Sequence, residues 1–86
     1  MSEEPTRVEV EICGEHYVIK GDGTPEQVRR VAQYVHQRMT ENLARNPRLS
    51  LTKAALLTAV NITDEFLKLK TDYDNLVKLL EPRESK

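Results

Sequence analysis

Few side chains in this sequence have the types and spacing that chemistry demands. Cys13 and His16 flank a Gly-containing turn and are able to approach one another, but a structural zinc site takes about four ligands. With a single cysteine and two histidines in the whole chain, no second pair exists. His36 stands beside Val35 in a helical pattern, and no Ser or Cys nucleophile with an orienting acid is spaced to work with it. Gly21-Asp22-Gly23-Thr24 precedes a capped helix, where free N–H groups attract anions. The segment lacks the Lys and the spacing of a phosphate-binding loop and reads better as a strand-to-helix turn. No nucleophile, metal set or cofactor site remains, so the sequence points away from an enzyme and calls for no cofactor.

The local feature of interest is electrostatic. Arg38, Arg45, Arg48 and Lys53 gather around one connection, in a stretch whose only acidic residue is Glu41. Such charges form either a solvated face or a contact surface for an acidic partner, with Arg29 and Arg30 as contributors. The chain as a whole carries a formal charge of -1. That gives no general attraction for a phosphate backbone and disfavours nucleic acid as the partner. No apolar run approaches the roughly 18 residues that span a bilayer, so no membrane insertion is expected. The lone cysteine and the absence of a basic-then-apolar leader in Met-Ser-Glu-Glu-Pro-Thr suggest a cytoplasmic protein.

The elements that hold these residues follow from periodicity. Residues 7–13 alternate, with Val8, Val10 and Ile12 on one face and Arg7, Glu9 and Glu11 on the other, which predicts a half-buried strand. Gly14-Glu15 offers a type II′ turn, and residues 16–20 form the return strand. Thr24-Pro25-Glu26-Gln27 supplies an N-cap, a proline at the first helical position and a capping-box partner. Val28, Val31, Ala32, Val35, Met39 and Leu43 then trace one helical stripe that ends at Asn46-Pro47.

Ser50 is positioned to cap a second helix over residues 51–81. In its first half Leu51, Ala54, Ala55, Leu56, Leu57, Ala59, Val60 and Ile62 surround most of the circumference, predicting burial on several sides. From there Ala59, Ile62, Phe66, Leu69, Tyr73, Leu76 and Leu80 keep strict three-four spacing, the seam of a coiled coil. Glu65 and Lys70 flank it at positions suited to pairing between chains. Asn61 is placed either to set register at a dimer interface or to serve a capping or surface role. The fold class is therefore α+β, an N-terminal β-hairpin followed by two helices, the second long and forming an intermolecular coiled coil. Residues 1–6 and 82–86 read as flexible ends, 7–58 as a small head that includes the start of the second helix, and 59–81 as the coil.

One chain cannot shelter that coil. At about 1.5 Å per residue the second helix is roughly 45 Å long and the first only roughly 30 Å. The hairpin, marginal by itself and open at both edges, is a second reason to expect association.

The string from Leu56 through Leu57-Thr58-Ala59-Val60-Asn61-Ile62-Thr63-Asp64-Glu65 to Phe66 resembles the signature of the ZapA family of bacterial cell-division proteins, Leu-x-Ala-Leu-Asn-Ile-x-x-Glu-Leu. Val60 and Phe66 stand where the family has Leu. Val8 to Gly14 with Tyr17 is similar to the family's hairpin, and Val31-Ala32-Gln33-Tyr34-Val35 with Met39 to its first helix, so the resemblance spans residues 8–70. It implies a homodimer, with a homotetramer as a further step, that bundles or cross-links filaments of the tubulin-like protein FtsZ at the cytoplasmic division site. Some members have a much longer coil than the one that stops here soon after Leu80, which makes the tetramer the less secure step. The competing reading from the residues alone is a small dimeric nucleic-acid-binding regulator using the basic connection.

Overall fold

The computed structural model describes residues 6–80. Two antiparallel strands, β1 (Thr6–Ile12) and β2 (Glu15–Gly21), lead into two helices, α1 (Pro25–Arg45) and α2 (Leu51–Leu80). The N-terminal and C-terminal segments expected to be flexible, and Glu81 at the expected end of the second helix, lie outside the described residues. The exception is Thr6, which is no part of a loose end. It pairs with Gly21 in the sheet, and its hydroxyl donates to the Gly23 carbonyl at 2.7 Å.

The hairpin places Val8 opposite Ile19 and Val10 opposite Tyr17, with Ile12 opposite Glu15. The turn is therefore Cys13-Gly14, not the Gly14-Glu15 turn expected from sequence. Both residues have positive φ, 52° and 84°, the signature of a type I′ turn, whose twist matches that of the strands. The two registers differ by a slip of two residues, which leaves every side chain on the same face. The apolar alternation is blind to that choice. What holds Cys13 in a conformation that suits Gly or Asn better is a hydrogen bond from its N–H to His36 Nδ1 on α1, 2.9 Å long.

Thr24 caps α1 as its sequence predicts, its Oγ1 accepting from the Gln27 N–H at 3.1 Å. The helix ends at Asn46, ahead of Pro47, whose preceding residue is steered away from helical geometry. Val28, Ala32 and Met39 are buried, with Val35 and Leu43 half-buried. Val31, expected in that stripe, is instead 53% exposed. It lies on the flank of α1 that turns toward α2, more than one turn before Arg38, where α2 no longer covers it.

Ser50 caps α2 through a hydrogen bond from the Lys53 N–H to Ser50 Oγ. The helices run antiparallel, since Asn42 meets Thr58 and the earlier Arg38 meets the later Glu65. Of the residues expected to bury the first half of α2, only Ala54 is enclosed, joined by Thr58. Leu56 and Val60 are each 63% exposed, because within one chain only α1 is available to lie against this helix and it covers one flank.

The core is correspondingly thin: Val8, Val28, Ala32, Met39 and Ala54, with a buried hydrogen bond from Asn42 Nδ2 to Thr58 Oγ1 of 2.9 Å. The radius of gyration is 18.1 Å, against about 12 Å for a compact domain of this length. The accessible surface is 7496 Å², against roughly 5,200 Å² for a compact monomer of this mass.

Because Asn42 and Thr58 satisfy one another in the core, Thr58→Val should strand the Asn42 amide and cost about 1–3 kcal/mol. Pairing it with Asn42→Leu should recover much of that loss. Urea unfolding of the two variants and the parent at one protein concentration measures both effects.

Candidate assembly surface

Successive residues of a helix are separated by about 100° around its axis. On α2 this brings Ala54, Thr58 and Glu65 to the flank that α1 covers, and places Ala59, Ile62, Phe66, Leu69, Tyr73, Leu76 and Leu80 on the neighbouring flank. Ile62 is half-buried at the edge of the head, and Ala59 is exposed. The large side chains beyond it stand in solvent, from Phe66 at 58% exposure to Leu80 at 74%. Beyond Ile62 the seam read from the heptads is thus a continuous apolar strip that no other described residue covers. Each large apolar side chain left in water forgoes roughly 1.5–3 kcal/mol.

A second apolar row went unnoticed in the sequence. Leu56, Val60 and Leu67, all exposed, follow four- and seven-residue spacing more than 100° around α2 from the seam. Val60 and Leu67, with Ala59, Thr63 and Asp64, line a shallow groove. Leu67 falls outside the three-four pattern, so it drew no attention, yet a 3.6-residue stripe through Leu56 and Val60 contains it.

Ile12 and Tyr17 from the hairpin, Val35 and Met39 from α1, and Leu51 and Ala55 from α2 line an open apolar cleft of about 400 Å³. No single segment shows this cleft, because it combines strand and helix periodicities from three elements. Its polar lining is slight and it offers no catalytic group.

The basic residues separate into two sets. Arg38 is committed within the chain: its two terminal nitrogens donate to the two carboxylate oxygens of Glu65 at 2.7 and 2.6 Å. Its guanidinium also donates to the Tyr34 hydroxyl at 2.9 Å, sits 5.6 Å from the centre of that ring, and approaches Glu41 at 3.8 Å. A bidentate, charge-assisted pair of this kind fixes orientation as well as charge. The Glu65 hydrogen bonds, helped by Tyr34, hold the Arg38 pKa above its ordinary value, and Arg38 in turn holds the Glu65 carboxyl below the usual glutamate range. Lys70, expected to pair with Glu65 across chains, reaches Asp74 on its own helix at 3.5 Å. Arg45, Arg48 and Lys53 are exposed and engage in no ion pair among the described residues. They form a basic knuckle at the turn between the helices.

Asn61 is half-buried and lies toward the α1 flank of α2, away from the seam. The enclosed asparagine is Asn42. His36 serves the hairpin tip rather than any reaction, and among the described residues no three His, Cys, Asp or Glu side chains gather as a metal site would require.

A two-stranded hairpin and two helices, the longer one carrying an exposed apolar strip, define a small α+β protein whose most extended apolar feature lies along a helix. Comparison with known proteins identifies it further. The family model for cell division protein ZapA matches residues 8–85. The cell division protein ZapA of Geobacillus thermodenitrificans is 49% identical over 81 residues, covering 93% of this chain and 89% of that protein. The one from Bacillus pumilus is 42% identical over 79 residues, covering 92% and 93%. A solved ZapA mutant dimer from Geobacillus stearothermophilus superposes with a TM-score of 0.75 at 41% identity, covering 94% of each chain. This chain belongs to the ZapA family of cell-division proteins, which are non-enzymatic scaffolds.

The Arg38–Glu65 pair gives the surface a definite pH dependence. A carboxyl whose folded pKa is depressed contributes stability that is complete above its ordinary value of 4.5 and is lost as pH falls below that. Arg38 stays charged throughout. The stability gap between the parent and Glu65→Gln should therefore be constant from neutrality down to about pH 5 and shrink in more acid solution. Denaturant titrations at a series of pH values test this.

Proposed function

We propose that the chain forms a homodimer through the α2 seam, with association of dimers into a tetramer as a further step of the same coil. The assembly bundles or cross-links FtsZ filaments in the cytoplasm at the division site and so promotes assembly of the division ring. The observation that carries this reading is the strip from Phe66 to Leu80, apolar, continuous and exposed over about four turns. Its spacing is that of a coiled coil, whose a and d positions seek a facing helix. The solved relative from Geobacillus stearothermophilus is a dimer, and membership of the family supports the filament partner.

Within this reading Arg45, Arg48 and Lys53 meet acidic groups on a filament subunit. Arg38 and Glu41 sit beside them as a fixed rim held by Glu65. A single such contact between exposed charges is weak and salt-sensitive. A dimer carries two copies, so once one is engaged the second binds at the high local concentration set by the helical spacer. Oligomerisation and filament binding are in this way one mechanism.

Two measurements test the proposal. Light scattering across protein concentration should show the parent above monomer mass and Leu76→Asp at a lower oligomeric state, since a carboxylate in the seam cannot be buried unpaired. FtsZ filaments should carry the parent into the pellet at low salt and Leu76→Asp much less. A parent that remains in the supernatant at low salt refutes the filament partner, and binding to random-sequence DNA with a steep salt slope would favour nucleic acid instead.

A further inference from the structure

The hairpin tip rests on a single side chain. Cys13 occupies the left-handed region at φ 52°, where a residue with a Cβ is held at a cost. Its N–H is not part of the strand ladder and donates to His36 Nδ1, 23 residues away on α1. This nitrogen accepts only while it carries no proton, so the bond requires a neutral imidazole with its hydrogen on Nε2. Protonation puts an N–H on Nδ1, facing the N–H of Cys13, and turns an attraction into a repulsion. Histidine is the side chain whose ordinary titration falls within the cellular pH range.

We propose that His36 is a pH-sensitive latch on the hairpin tip, closed by neutral imidazole and opened by imidazolium. The surroundings suit a titratable group. Glu9 and Glu11 from β1 and Arg29 and Gln33 from α1 share an open pocket with the imidazole. Glu9, Glu11 and Arg29 are thus the charged side chains that line this pocket, and Cys13 occupies the turn above it. His16 lies across the sheet from Glu11. The flank of α1 that meets α2 carries Arg38 and Asn42, about 160° and 120° around the helix from His36, and no α2 residue lines the pocket that holds the imidazole. Opening the latch frees the tip, and with it the footing of Ile12 and Tyr17, two walls of the apolar cleft on α1 and α2. Acid thereby loosens the head without touching the α2 seam.

The test uses the full chain with His16→Gln, which leaves His36 as its only imidazole. Nitrogen NMR of that ring and of the Cys13 and Gly14 amides is followed from about pH 8 to about pH 5. The expected result is the Nε2–H tautomer at high pH, then a shift of the Cys13 amide with the same midpoint as the ring. Protection of that amide from exchange, corrected for its intrinsic rate, should fall roughly tenfold. His36→Gln, whose side-chain oxygen accepts a hydrogen bond but does not titrate, should hold the tip closed across the range. An Nδ1–H tautomer at high pH, or a Cys13 amide that stays in place while the ring titrates, overturns the proposal without recourse to any His36 variant. So does a tip in His36→Gln that opens at the same midpoint.

Discussion

Within one chain a helix is covered only by what that chain packs against it, and here, beyond the hairpin's approach to the first turns of α2, that is one shorter helix on one flank. α2 has 30 residues and α1 has 21, so the distal turns of α2 stand beyond the reach of α1 whatever their relative tilt. The consequences run through the molecule. Among the described residues the enclosed apolar side chains are small or few and none is a large side chain fully removed from solvent, and the surface is far greater than that of a compact domain. The apolar area that would stabilise a self-sufficient protein of this size is displayed along α2 instead. Folding of the head and burial of α2 are therefore parts of one balance, since neither the two-stranded sheet nor the short core has much stability to spare.

Within the chain, contact between the helices grows more polar outward. Ala54, fully enclosed, lets the backbones approach; Thr58 one turn later takes the buried hydrogen bond from Asn42; Glu65 two turns beyond takes the bidentate pair from Arg38. Polar contacts of this kind fix geometry more than they add stability, because removing their groups from water offsets most of what the contact returns. They set the angle at which α1 leaves α2 and, by satisfying Arg38 and Glu65 internally, leave the adjoining strip free of charge. A purely apolar α1–α2 contact would be harder to distinguish from the seam itself, and α1 would compete with a partner helix for the same surface.

Element types and order were legible in the sequence because each rests on a local rule: alternation for Val8, Val10 and Ile12, a cap and proline for Thr24 and Pro25, three-four spacing for Phe66 to Leu80. The family was legible in the string around Asn61 and Ile62. The failures share one cause, which is dependence on a residue far away in sequence. The turn register hung on His36 accepting from Cys13, and a two-residue slip is invisible to alternation. Glu65 looked available to another chain because its partner Arg38 lies 27 positions earlier. The enclosure of Asn42 has no signal in its own segment, because it is the antiparallel return of α2 that brings Thr58 against it. Val31 fits the three- and four-residue spacing, yet at 100° per residue it stands at the edge of the stripe, about 100° from the buried Ala32, and is exposed.

The antiparallel return also separates the two surfaces that the proposed assembly uses. The basic knuckle of Arg45, Arg48 and Lys53 sits at the turn between helices, where α2 begins. Leu80 lies 27 residues further along the same helix, about 40 Å away. That is several Debye lengths at physiological salt, so the charges of the knuckle neither repel nor steer groups at the far end of the seam. A partner helix can cover the distal strip while the knuckle stays in solvent, and an acidic partner can engage the knuckle without reaching the strip. Had the connection been long enough to let α1 run parallel to α2, Arg45 would lie near the middle of the seam and the two contacts would exclude one another. The short Asn46-to-Ser50 connection, which enforces the antiparallel return, thus keeps the basic knuckle and the distal apolar strip at opposite ends of α2, so that the two contacts of the proposed assembly do not compete.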